Sequence, residues 1–102
     1  MIAVIFEAEP KIEAREQYFS LAANLKPQLI EVEGFISIER FQSLAEPNRI
    51  LSLSFWKDEQ SVTKWRNQPS HRYAQQQGKM SIFENYRIRV ADVLRDYGMT
   101  SQ

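Results

Sequence analysis

Between Phe55 and Gly78 the chain reads FWKDEQSVTKWRNQPSHRYAQQQG, a stretch that holds both of its tryptophans and its one histidine. His71 is the side chain whose ordinary pKa lies nearest neutrality, so it is the natural proton acceptor. Trp56 and Trp65 are flat and apolar and suit the wall of a pocket for a planar ring. Each also has a plainer reading. His71 follows Ser70 at the start of an expected helix and fits a first-turn surface position. Trp65 falls on the apolar side of an amphipathic helix, where packing alone accounts for it. Trp56 ends a strand and fits a core or a seam between subunits.

Other chemistries are closed off by what the chain lacks. It has no cysteine, which removes disulfides, thiolate metal sites and a thiol nucleophile. The lone His71 has no second histidine and no carboxylate cluster at ligand spacing, so no metal site is expected. Only Gly34, Gly78 and Gly98 are glycine, too few and too scattered for a phosphate-cradling loop.

The 102 residues suit one domain, and thirteen Lys+Arg balance thirteen Asp+Glu for a formal net charge of zero. That balance argues against nucleic acid as a partner. It also leaves little self-repulsion between subunits. The opening MIAVIFEAEP has an apolar run too short for a signal peptide or a membrane span, so no membrane partner is expected and a cytoplasmic location is the default.

The elements that must position these residues follow from periodicity. Residues 2–9 read as a strand whose two faces, Ile2/Val4/Phe6 and Ala3/Ile5, are both apolar, as in a central strand. Residues 11–34 read as helical with an apolar side through Ile12, Phe19, Ala22, Ala23 and Leu29/Ile30, kinked or split at Pro27. FISIERFQS alternates, with Phe35, Ser37, Glu39 and Phe41 against Ile36, Ile38 and Arg40. RILSLSFW alternates too, Leu51, Leu53 and Phe55 against Ser52, Ser54 and Trp56, and the short LAEPN link suits a hairpin. Asp58 is an expected N-cap for a helix carrying the Val62/Trp65 pair. Ser70 can cap a second helical piece that Gly78 stops. Residues 81–93 read mostly as strand, with a helical reading of Val90 to Tyr97 as the alternative. Tyr73 and Tyr86 read as amphipathic packing residues, and Arg87 with Arg89 as a solvated strand face.

The order is β-α-β-β-α-β, the ferredoxin-like α+β pattern with an antiparallel sheet covered by helices on one face. The serine-and-tryptophan side of the third strand is expected to face away from the helices, where a second copy of the sheet would cover it.

The element order, the Glu33-Gly34-Phe35 opening of the second strand, the FWKDEQSVTKW segment with Trp56 and Trp65, and the following Pro69-Ser70-His71 are similar to the antibiotic biosynthesis monooxygenase (ABM) superfamily. The resemblance covers residues 1–95, with 96–102 as a loose tail, and implies a homodimer in which two subunits form an α/β barrel. It implies oxidation of a small aromatic or quinol-type compound by molecular oxygen with no cofactor. In such chemistry a base removes a phenolic proton and the electron-rich anion is held beside oxygen. His71 and Arg87 are the implied catalytic residues, and Trp56, Trp65, Asn67 and Tyr73 the implied substrate contacts. Haem-degrading members carry an Asn on the first strand and a His ten residues after the helix tryptophan. Here the first strand has no Asn and Gln75 stands at the second position, so haem is not expected. The first alternative to an oxygenase is a non-enzymatic dimeric module that binds a small hydrophobic molecule or regulates, and the second is a haem-binding or haem-degrading protein.

Overall fold

β-branched and aromatic residues at period two lay down the strands, and punctuation at Pro10, Gly34 and the Glu46–Asn48 turn bounds them. In chain order the computed structural model, which describes residues 1–69 and 82–99, contains β1 (Ile2–Pro10), a short 3-10 turn (Ile12–Ala14), α1 (Arg15–Leu29), β2 (Phe35–Gln42), β3 (Ile50–Trp56), α2 (Glu59–Arg66) and β4 (Phe83–Asp92). The four strands form one antiparallel sheet in the order β2-β3-β1-β4. This is the expected ferredoxin-like α+β arrangement, with doubly apolar β1 in the interior of the sheet. No helix among the described residues is long and apolar enough to cross a membrane.

The register assigns the faces. Directly paired residues share a face, so Ile2, Val4 and Phe6 of β1 stand with Trp56, Ser54 and Ser52 of β3. Ser52, Ser54 and Trp56 are buried, whereas Leu51, Leu53 and Phe55 are half-buried. Trp56 packs with Leu29 of α1 and with Val62 and Trp65 of α2. The serine-and-tryptophan side is therefore the helix-covered side, contrary to the sequence expectation. The face left without a helix carries Ile5, Leu51, Leu53 and Phe55. Alternation alone sorts residues into two sets, but both sets on β3 contain large apolar rings, so it could not say which set met the helices.

Three further corrections have local causes. α1 runs on through Pro27 and ends at Leu29 rather than splitting. Pro27 and Ala23, whose carbonyl would have been its helical partner, are both exposed, where the missing hydrogen bond costs least. The buried side of α1 is Tyr18, Leu21, Ala22, Leu25 and Leu29, while Ile12 is 84% and Ile30 58% exposed. Apolar residues occur all round this helix, and the sheet selects the stripe. In β2 a bulge between Phe35 and Ser37 returns Phe35 to the Trp56 side, where the two rings meet edge-on at 5.4 Å. Beyond Asp92 the described residues form no helix, so the two readings of this end resolve in favour of strand, Phe83–Asp92. The expected cap at Ser70 and stop at Gly78 lie outside the described residues.

Gly34 sits at a close approach of β2 to α2. Its φ is +92°, and a Cβ built there would lie 1.9 Å from Ser61 Oγ and 2.7 Å from Ser61 Cβ. Ser61 cannot swing away without loss, because its hydroxyl donates to Asp58 Oδ1 at 2.7 Å. The Gly34 carbonyl also accepts from the Lys57 amide at 2.7 Å, which ties the start of β2 to the entry of α2. Gly34→Ala is expected to lower unfolding free energy by about 2–4 kcal/mol, through backbone strain and the clash with Ser61. Gly98→Ala, with nothing within 4 Å of the new methyl, is expected to be near neutral. Urea unfolding of the two variants checks both.

Candidate functional site

The helices do not close fully over the inner face of the sheet. Buried residues form two clusters: Leu29, Val32, Trp56, Val62 and Trp65 at one end, and Ala14, Tyr18, Ile50 and Ile82 at the other. A cavity of about 470 Å³ is lined by members of both. This volume lies within the range of small-molecule sites.

One wall is indole. Trp65 is carried in by α2, whose start is set by Asp58: its carboxylate accepts from the Ser61 amide at 2.9 Å and the Ser61 hydroxyl at 2.7 Å. Trp56 is fixed by Phe35 and by its own Nε1, which donates to Ser54 Oγ at 2.9 Å. The opposite wall is a set of stacked edges. Phe83 meets Phe6, Tyr18 and Tyr86 at centroid distances of 5.5, 5.5 and 5.7 Å.

The charged and hydroxyl groups of the lining are drawn from both helices and from the strands. Arg40 of β2 and Ser52 of β3 are direct cross-strand partners on the inner face, and both line the cavity. Lys26 of α1 and Arg66 of α2 are exposed residues that reach its edge. Arg40 Nε is buried and has no hydrogen-bond partner among the described residues. No group of three or more His, Cys, Asp or Glu that could hold a metal ion occurs among the described residues.

Of the residues implied by the sequence, Trp56 and Trp65 are brought together on the cavity wall. Arg87 is not: it pairs in register with Glu7, opposite in parity to the cavity-lining Ile88 and Tyr86, and lies exposed on the outer face. Asn67, just past α2, is exposed and outside the lining. His71 and Tyr73 lie outside the described residues. The residues that reasoning from sequence missed are Arg40, Ser52, Tyr18 and Tyr86. The signal for Arg40 was present: it shares parity with Ile38, and had Trp56 been assigned to the helix side, the hairpin register would have placed Arg40 beside Ser52.

Residues 1–77 match the antibiotic biosynthesis monooxygenase family. The chain belongs to that family. A jasmonate monooxygenase of Pyricularia oryzae is 43% identical over 93 residues, and the match takes in 91% of this chain but only 43% of the fungal protein. This chain thus spans less than half of that relative. The uncharacterized protein YqjZ of Bacillus subtilis is 28% identical over 93 residues, 91% of this chain and 79% of YqjZ. Among solved structures, a Deinococcus radiodurans protein superposes with a TM-score of 0.85 at 12% identity, covering 97% of this ABM-family chain and 98% of its own. Rv0793 of Mycobacterium tuberculosis does so with a TM-score of 0.84 at 15% identity, covering 95% and 98%. At these identities the superpositions speak for the shared fold alone.

The cap that sets α2 has a pH signature. The Ser61 hydroxyl first, and the Ser61 amide second, hold the Asp58 carboxyl below its ordinary value of 3.8. The charged form is the one favoured in the folded state. Its contribution is therefore complete above the ordinary carboxylate value and is lost as pH falls through the lowered one. Asp58→Asn is expected to destabilise the protein at neutral pH and to remove part of the stability loss seen below about pH 4. Thermal melts of wild type and variant from pH 3 to 7 check this.

Proposed function

We propose that this ABM-family chain is a cofactor-independent monooxygenase, and that the cavity is its substrate chamber. The observation that supports this most is the chamber itself: a space of about 470 Å³ with aromatic walls and a sparse set of polar groups. The substrate is a small aromatic or quinol-type compound with a phenolic hydroxyl conjugated to an oxidisable methylene. Proton loss gives an electron-rich anion that itself reduces oxygen. One oxygen atom becomes the new carbonyl and the other leaves as water: CH2 plus O2 gives C=O plus H2O. Four electrons leave the carbon and four enter oxygen, so the balance needs no external reductant.

The roles divide by position. Trp56 and Trp65 hold the ring flat. Arg40, rather than Arg87, faces the developing oxyanion, with the Ser52 hydroxyl beside it. His71 keeps the role of base on the strength of its chemistry in the sequence. The name of the Pyricularia oryzae relative adds jasmonate as a compound to include among the substrates tried.

The assembly we propose is a cytoplasmic homodimer. Ile5, Leu51, Leu53 and Phe55 form an apolar strip on the outer face, bordered by Glu7, Glu39, Arg87 and Arg89. A second copy of the same strip would cover it through a two-fold contact. For a 12.0 kDa chain, sedimentation is expected to give about twice that mass. Leu53→Asp, which sets a second carboxylate directly opposite Glu39 in the strip, is expected to give the monomer.

Oxygen uptake with a quinol such as a hydroxyanthrone, in the absence of nicotinamide and flavin, tests the activity. One oxygen consumed per product, with one labelled atom from 18O2 in the product, is the expected result. Trp65→Leu is expected to lower kcat/KM about tenfold by removing the flat wall. Ring-compound binding without oxygen uptake would make the chain a binding module instead.

A further inference from the structure

We propose that the chamber selects organic anions: a ring-sized apolar body bearing one oxyanion, held by Arg40. The proposal rests on reading the cavity as a ligand chamber and adds the charge of what enters it.

The first ground is charge. The whole chain balances thirteen cationic side chains against thirteen acidic ones. The cavity does not share that balance. Among the described residues its ionisable lining includes Lys26, Arg40 and Arg66, drawn from three different elements, and no Asp or Glu. Residues 70–81, outside the described set, contain no Asp or Glu in sequence either.

The second ground is pairing. On the outer face Arg49 bonds Glu9 at 3.1 Å and Arg89 pairs with Glu7, and Arg87, which has no ion pair among the described residues, is exposed to solvent. On the inner face Arg40 has no such carboxylate among the described residues, and its Nε is both buried and without a partner. A permanently charged group beside an apolar space is costly to leave without a counter-ion, and an anion taken into that space relieves the cost. A guanidinium fork at the edge of an apolar space matches an oxyanion by shape as well as charge. Ser52, its direct neighbour across the strands, adds a hydroxyl on the same face.

The oxyanion has two chemical sources, a carboxylate or a phenolate. The test uses neutral N-phenyl-1-naphthylamine, whose fluorescence rises in an apolar site, as the reporter. It is displaced at pH 7 by 2-naphthoate, 2-naphthol or 2-methylnaphthalene. We expect 2-naphthoate to displace it at about one-tenth the concentration that 2-methylnaphthalene needs, in keeping with a hydrogen bond to a charged group. 2-Naphthol is neutral at pH 7, as a phenol with an ordinary pKa of about 10 is. Displacement that rises from the methylnaphthalene level to the naphthoate level as pH approaches that value assigns the site to phenolates, and displacement that stays at the methylnaphthalene level throughout assigns it to carboxylates. Arg40→Met should bring the naphthoate advantage to about onefold, leave reporter binding in place, and keep or raise the melting temperature. A merely structural arginine would lower the melting temperature instead.

If Arg40→Met does not fold, salt decides on the wild type. An advantage that survives 0.5 M NaCl belongs to the half-buried Arg40, while one lost there belongs to the exposed Lys26 and Arg66 and overturns the proposal. It is also overturned if naphthoate has no advantage, if the advantage persists in Arg40→Met, or if the reporter is not taken up. Turnover is not read here. Anion preference without oxygen uptake removes the oxygenase and keeps this inference; oxygenation of a neutral quinol without anion preference does the reverse.

Discussion

The parity of β3 governs this structure. A strand has two faces, and a slip of one residue exchanges them along its whole length. Here the large Trp56 ring packs between Leu29, Val62 and Trp65 on the helix side, with its N–H satisfied by Ser54. Once Trp56 points inward, Ser52 and Ser54 must follow it. The hairpin register then brings Arg40 inward, and the pairing of β1 with β4 sends Arg87 outward. The contents of both faces thus descend from the placement of one aromatic ring. The bulge at the start of β2, which lets Phe35 join Trp56, strengthens that choice without disturbing the parity of Ile38 and Arg40.

The inner face that results is poor material for a core. Two serines and an arginine occupy positions where a folding domain gains most from aliphatic side chains. The consequence is two apolar clusters instead of one, with the cavity lined by both. Such a space forfeits dispersion contacts and transfer free energy, and in a chain of 102 residues the margin is thin. The fold offsets this at its seams. The Asp58 cap, the Ser61 hydroxyl and the closely approached Gly34 fix α2 against the sheet and so fix Trp65. The proposed dimer would add burial on the outer face, where Leu51, Leu53 and Phe55 are half-buried in the single chain.

Much of the architecture could be read from residues 1–69. The doubly apolar first strand, the hairpin across LAEPN and the Asp58 cap each rest on short-range physics: side-chain period, turn chemistry and one hydrogen bond. The family resemblance, carried by Trp56 and Trp65 and the Pro69-Ser70-His71 run, is shown by the family match. The site was less legible. The two tryptophans were found because they are rare and large. Arg40 alternates with Ile36 and Ile38, but nothing local says which face meets the helices, and Arg87 enters through the family resemblance by residue type and neighbourhood, which carry no information on the face it takes.

What the sequence determined by itself is therefore what depends on neighbours along the chain: where strands and helices begin and end, which residues alternate together, and which family's pattern they follow. What only the tertiary structure decided is which of two equivalent-looking faces met the helices, which stripe of α1 was buried, and hence which arginine entered the cavity. Those choices compare the packing of whole surfaces across elements far apart in sequence. Periodicity sorts residues into sets, and the packed surface selects the set that is inside.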